Sequence, residues 1–219
     1  MTETDLELAA CRPVPLEMGE FNPKAVIPYG CAVEHVSAAM SDFLGFLGFI
    51  NQQLNRKGIS RLETFLMPAN FSSIVGEFMS ATIPKHCPTL ARNRYHNGHP
   101  DLLPKGMYPR EAQLHASEGI EVKASRYGRG WQGHNAEDVW LMVFVFEANR
   151  VTDMDRGIPP RPFRFLKVVG AKLSVSDWKF AGRSDTSRRT ITAAVKPSGF
   201  AKVEANWIYR AAETDAGGR

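Results

Sequence analysis

A Pro-Asp step at residues 100–101 stands twenty residues ahead of the triplet Glu121-Val122-Lys123. Two carboxylates and an ammonium can serve one particular chemistry if the chain brings them together. Mg²⁺ takes hard oxygen ligands in near-octahedral geometry, keeps several waters, and is commonly held by one or two carboxylates and a substrate phosphate. A bound divalent ion makes its water more acidic and offsets charge building on phosphorus, while a lysine beside it orients the hydroxide or steadies the pentavalent phosphate. Asp101 and Glu121 suit the ligand roles, the Val122 carbonyl can complete the set, and Lys123 suits the role of the lysine.

The triplet needs its context, because roughly one acid-x-Lys match is expected by chance in a chain of this composition. A second one, Asp177-Trp178-Lys179, follows Ser176 in a stretch that reads as a turn or helix start, with Asp155 ahead of it. The first lies in "GIEVKAS", which alternates as a strand does: Ile120, Val122 and Ala124 face one way and Glu121, Lys123 and Ser125 the other. The Pro- and Gly-rich "LLPKGMYP" can return the chain so that Asp101 meets Glu121. The plainer alternatives are a solvated Glu/Lys face, a turn-forming Asp101 and, at Glu77, a surface acid on a helix.

The elements that must position these residues follow from periodicity. Residues 32–58 carry Val36, Met40, Phe43, Phe46, Leu47, Ile50 and Leu54 at helical spacing and stop at Gly58. "ISRLETFLMP" reads as a helix stopped by Pro68, and "NFSSIVGEFMSATIP" as another, capped by Asn70 or Ser72 and stopped by Pro84, with Glu77 near the edge of its apolar stripe. "VWLMVFVFEA" reads as a central strand covered on both faces, "FRFLKVVGAKL" and "RTITAAVK" as further strands, and "SGFAKVEANWIY" as a closing helix capped by Ser198. Helices followed by a mixed sheet give an α/β or α+β domain. Its expected divisions are a lead-in over 1–30, a helical part over 31–84, a mixed-sheet core over 95–210 and a frayed tail over 211–219, all within one domain.

The "PD" at 100–101 and the "EVK" at 121–123 resemble the signature of the PD-(D/E)XK nucleases, the superfamily of restriction-endonuclease-like proteins. The resemblance covers the motif and the order of nearby elements. It implies a restriction-endonuclease-like mixed β-sheet core flanked by helices, Mg²⁺-dependent phosphodiester hydrolysis with Mn²⁺ as a possible substitute, and frequent homodimers. It also implies a further acid from a preceding helix, the place Glu77 occupies. One departure stands out: that family usually inserts a helix after the lysine strand, whereas "RYGRGWQGHNAED" has barely the dozen residues that a parallel crossover needs.

Charge and loops extend the reading toward double-stranded DNA. Residues 1–20 hold five acids against Arg12, so the net charge of +4 divides into −4 there and +8 for the rest. A basic body favours a polyanionic partner. "SRYGRGWQGHN" sets Arg126, Arg129, Gln132, His134 and Asn135 among three glycines, a composition that suits phosphate contacts and base edges, with Gln132 also placed to position a water. The same stretch can instead be a turn anchored by Trp131. "GRSDTSRRT" offers Arg183, Arg188 and Arg189. His99 can support Asp101 through a hydrogen bond, whereas His86, Cys87, His96 and His99 lack zinc-site spacing. Cys11, Cys31 and Cys87 read as reduced thiols. No apolar run of spanning length and no signal-peptide pattern is expected, so the chain reads as cytoplasmic with no membrane partner. No GxxxxGK(S/T), GxSxG or HExxH motif occurs, and no nucleotide cofactor is expected. The expected activity is a DNA endonuclease in defence against foreign DNA; the alternatives are a non-catalytic DNA-binding module and a repair or junction-resolving nuclease on the same core.

Overall fold

The computed structural model describes residues 2–133, 135–181 and 192–212. A short helix α1 (Glu3–Ala10) opens the chain, its first turn closed by a capping box between Thr2 and Asp5. The long apolar stripe folds as α2 (Val33–Arg56), which buries Val36, Met40, Phe43 and Leu47. Gly58, at φ +67°, ends it in the left-handed conformation that a glycine adopts without strain. By length and composition α2 could also cross a bilayer, but 50% of its most apolar window is buried inside the protein, as in a core helix.

Two proline expectations are reversed. The helix expected up to Pro68 is only the single turn α3 (Leu62–Phe65), and Pro68 starts α4 (Pro68–His86) instead of ending its predecessor. Proline suits a first helical position because the missing N–H has no intrahelical partner there. The N-cap is Met67, neither Asn70 nor Ser72, and the helix runs through Pro84 to His86.

The strands are β1 (Leu90–Arg92), β2 (Leu102–Pro104), β3 (Ile120–Ser125), β4 (Gln132–Gly133), β5 (Val139–Glu147), β6 (Arg164–Leu173), β7 (Trp178–Ala181) and β8 (Thr192–Val195). They are followed by α5 (Pro197–Ala205) and β9 (Trp207–Arg210). The expected closing helix is thus shorter: Lys196 is its N-cap, and its last three residues, Trp207 to Tyr209, belong to an edge strand. The sheet also begins earlier than residue 95, at Leu90.

Among the described residues, six strands form the main mixed sheet in the order β1-β2-β3-β5-β6-β9, with β3 and β5 parallel and the other neighbours antiparallel. A smaller antiparallel sheet has the order β4-β8-β7. Both faces of β5 are covered. Trp140, Met142, Phe144 and Phe146 join the core under α2 and α4, and Leu141, Val143 and Val145 join the one formed with Trp131, Trp178 and Val203. Residues 126–138 connect β3 to β5, and the described ones among them form no helix; they supply β4 to the smaller sheet, and Trp131 anchors them in the second core.

Candidate active site

β2 and β3 share a single ladder pair, Leu102 with Ile120. From Glu121 onward β3 therefore presents an edge not covered by β2, and Asp101, just before β2, reaches it: its Oδ2 accepts the Val122 N–H at 2.8 Å. The N–H and C=O of one strand residue leave the same edge, so the Val122 carbonyl is turned to the side on which Asp101 sits. The two arms approach this closely because residue 119 is glycine. At φ +147° a Cβ there would lie 2.3 Å from the Leu102 carbonyl oxygen and 2.5 Å from Pro100 Cγ.

Glu121 is buried, at 8% exposure, and both its oxygens are engaged. Oε1 accepts from Lys123 Nζ at 3.0 Å, and Oε2 lies 2.9 Å from His99 Nδ1. The other ring nitrogen of His99 is 2.9 Å from Glu137 Oε2, near enough for charge attraction but off the axis of a hydrogen bond. Burial opposes a charge on His99, yet Glu121 and Glu137 outweigh it and hold its pKa up at about 10. Burial likewise pushes Glu121 up, but the hydrogen bond from His99 and the charge of Lys123 bring its carboxyl well below the usual range. Asp101 lines the same cleft as Glu121; burial first, and the Glu121 charge second, raise its pKa, against the hydrogen bond it accepts from the Val122 N–H. Two carboxylates pressed together with a carbonyl alongside are hard oxygen donors whose mutual repulsion a divalent cation relieves. The residues present therefore fit Mg²⁺.

A cleft of about 290 Å³ opens over this group, with Ser72, Ser73, Gly76 and Ser80 of α4 as its far wall. Glu77 lies at its mouth, mostly exposed and ion-paired with Arg92, outside the buried carboxylate pair. An adjoining hollow of about 820 Å³ shares Glu77 and Asp101 and is lined by Arg92, Arg94, Tyr95, His96 and Asn97. Sequence reasoning missed these five as a group. The polar, basic run "RNRYHN" just before His99 is the signal that points to them.

Several expected contacts are placed elsewhere. His99 turns to Glu121 and Glu137, with no hydrogen bond to Asp101. Arg126 does not project outward: its guanidinium stacks on Phe71 and Phe146, 5.4 and 5.3 Å from their centroids, and donates to the Ala148 carbonyl. Gln132 is exposed on β4 of the smaller sheet and does not line the cleft. Arg129 and Asn135 are exposed on the connecting loop, which Trp131 holds by donating from Nε1 to the Tyr127 carbonyl at 2.8 Å. His134, Arg183, Arg188 and Arg189 lie outside the described residues. In the second triplet Asp177 is a buried cap that accepts from Ser174, Ser198 and Lys202, and Lys179 is exposed on β7.

The four residues weighed as zinc ligands are separated by their partners: His86 pairs with Asp42, His96 is exposed and His99 belongs to the carboxylate group. Cys87 instead meets Cys31 and His35, with ligand atoms within 4.8 Å of one another. Sulfur and imidazole donors suit zinc rather than Mg²⁺. No protein family, curated protein or solved structure matches the chain, and the chemistry of the cleft is read from its own residues.

Proposed function

We propose that the chain is a Mg²⁺-dependent DNA endonuclease on a restriction-endonuclease-like core of the PD-(D/E)XK kind. The observation that carries the reading is the convergence of Asp101 and Glu121 on one cleft at an open sheet edge, with Asp101 held by the Val122 N–H and Lys123 Nζ 3.0 Å from Glu121. Asp101, Glu121 and the Val122 carbonyl would hold the ion, which supplies Lewis acidity and a more acidic water. Lys123, which lines the same cleft, would stabilise charge on a bound phosphate as one P–O bond forms and another breaks. His99, backed by Glu137, holds the Glu121 carboxylate in one orientation.

The basic body supports double-stranded DNA as the substrate. One such site cuts one strand, so a homodimer whose two-fold axis matches the duplex is part of the proposal, as are a cytoplasmic location and a role in restriction. The closed Lys123–Glu121–His99 cluster favours a second reading, a DNA-binding module whose charges already balance and which never turns over. Plasmid cleavage separates the two. With Mg²⁺ the wild type should cut, and Asp101→Ala and Lys123→Ala should each slow it at least about a hundredfold. Full activity in both variants would overturn the assignment of these residues; salt-sensitive binding without cleavage under any divalent ion would favour the module.

A further inference from the structure

Where β3 and β5 end and β6 begins, a cavity of about 570 Å³ is lined by Arg126, Arg150, Arg156, Arg161 and Arg164, with Glu147 and Asp153 as its carboxylates. Five guanidiniums face two acids, and the acids are already engaged. Glu147 pairs with Arg164 at 3.0 Å and with Arg161 at 3.6 Å. Asp153 Oδ2 accepts the Arg150 backbone N–H at 2.9 Å and Asn149 Nδ2 at 3.3 Å, which ties it to the turn.

Arg126 is the second observation. Its Nε and Nη2 are buried with no hydrogen-bond partner among the described residues, although it stacks on two rings. Burial, and next the charge of Arg150, disfavour its charged form. Like charges facing one another with donors unsatisfied are the arrangement that an anion completes, and the planar guanidinium fork matches phosphate oxygens.

The loop is held open by other means. Buried Arg61 donates from Nη2 to Asn149 Oδ1 and from Nη1 to the Arg161 carbonyl, each at 3.0 Å. Asn149 Nδ2 donates to the Pro159 carbonyl at 3.2 Å. Arg126, Arg161 and Arg164 add to this frame through the Ala148 carbonyl and Glu147, whereas among the described residues Arg150 and Arg156 contribute no side-chain hydrogen bond or ion pair to it.

We infer that this arginine-lined cavity binds a phosphate group. Arg126 directly follows β3 and is three residues past Lys123, so their Cα atoms are at most about 10 Å apart, about three nucleotides of duplex rise, with the two side chains leaving opposite faces of the sheet. A backbone phosphate flanking the cut is the source that distance favours. That source rests on the nuclease reading; the oxyanion chemistry does not.

The test uses the full chain in EDTA, so that no cleavage is required. Binding of inorganic phosphate is followed by thermal shift, and binding of a labelled duplex by anisotropy across a salt series. Arg150→Ala with Arg156→Ala should abolish the phosphate shift, weaken duplex binding about tenfold and flatten the log–log salt slope by roughly one for each phosphate no longer neutralised. Lys179→Ala, which removes an exposed charge from β7, should do none of this. Loss of the phosphate shift with unchanged duplex affinity would keep the oxyanion site and reject DNA as its source. Unchanged phosphate and duplex binding, or an equal loss in the Lys179 variant, would overturn the proposal. If the wild type cuts no DNA while these arginines still set duplex affinity, the nuclease reading fails and this one stands.

Discussion

Two acid-x-Lys triplets in one chain end in different chemistry because of what surrounds each acid. Glu121 shares a cleft with a second carboxyl, that of Asp101, at a strand edge, whereas Asp177 is enclosed by donors: Ser174 N at 2.9 Å, Ser198 Oγ at 3.0 Å and Lys202 Nζ at 2.5 Å. Burial alone would raise the Asp177 pKa, but these hydrogen bonds, that of Lys202 foremost, hold it well below the usual range. A folded pKa below the unfolded value of about 3.9 gives stability that is complete at neutral pH and is lost as pH falls through the folded pKa. Asp177→Asn should therefore be less stable than the wild type at pH 7 by about 1–2 kcal/mol, a modest figure because Lys202 is half exposed and screened. The gap should narrow as pH drops below about 4. Urea unfolding at pH 7 and pH 3 checks this, and a gap of constant size would show that the charge contributes nothing. Both triplets were visible as residue types; which acid is a cap was not, because Ser198 and Lys202 lie on α5.

At the scale of elements, the strand that carries Glu121 and Lys123 was legible from its alternation, and the stripe of α2 from its period. Both patterns are local and repeat within a few residues. Pro68 and Pro84 mislead a reading by pattern because a proline is tolerated at a helix start and, here, in the last turn of α4. The β3–β5 crossover was the other open point. Thirteen residues suffice for it, with no helix among the described ones, because β4 and buried Trp131 bind the connection to the smaller sheet. The β2–β3 approach depends on Gly119. Gly119→Ala adds a strained φ to a collision with the Leu102 carbonyl, and should cost about 2–4 kcal/mol. A thermal melt of this variant within experimental error of the wild type would refute the close approach of β2 to Gly119.

Across the whole molecule, one buried cation ties distant parts of the chain together. Arg61, 1% exposed, pairs with Glu7 on α1 and with Glu63 on α3 while reaching Asn149 and the Arg161 carbonyl on the loop between β5 and β6. Removing one member of a buried ion cluster leaves the other charges uncompensated. Arg61→Met should thus destabilise the fold by about 3–5 kcal/mol, because Glu63 stays fully buried without its partner. The midpoint of urea unfolding reads this directly; a loss under about 1 kcal/mol would mean that water or local rearrangement replaces the cluster.

The sequence by itself determined the mixed helix-and-sheet class, the long helix and the doubly covered β5, and singled out Asp101, Glu121 and Lys123 as candidates, since each is written in short-range period or in residue type at a set spacing. Tertiary structure alone decided that His99 lies between Glu121 and Glu137, that Arg126 lies on Phe71 and Phe146, and that five arginines share one cavity. The His99 and Arg126 meetings each join residues twenty or more positions apart. No local periodicity encodes them; they follow from which strands pair and which side chains the two cores exclude.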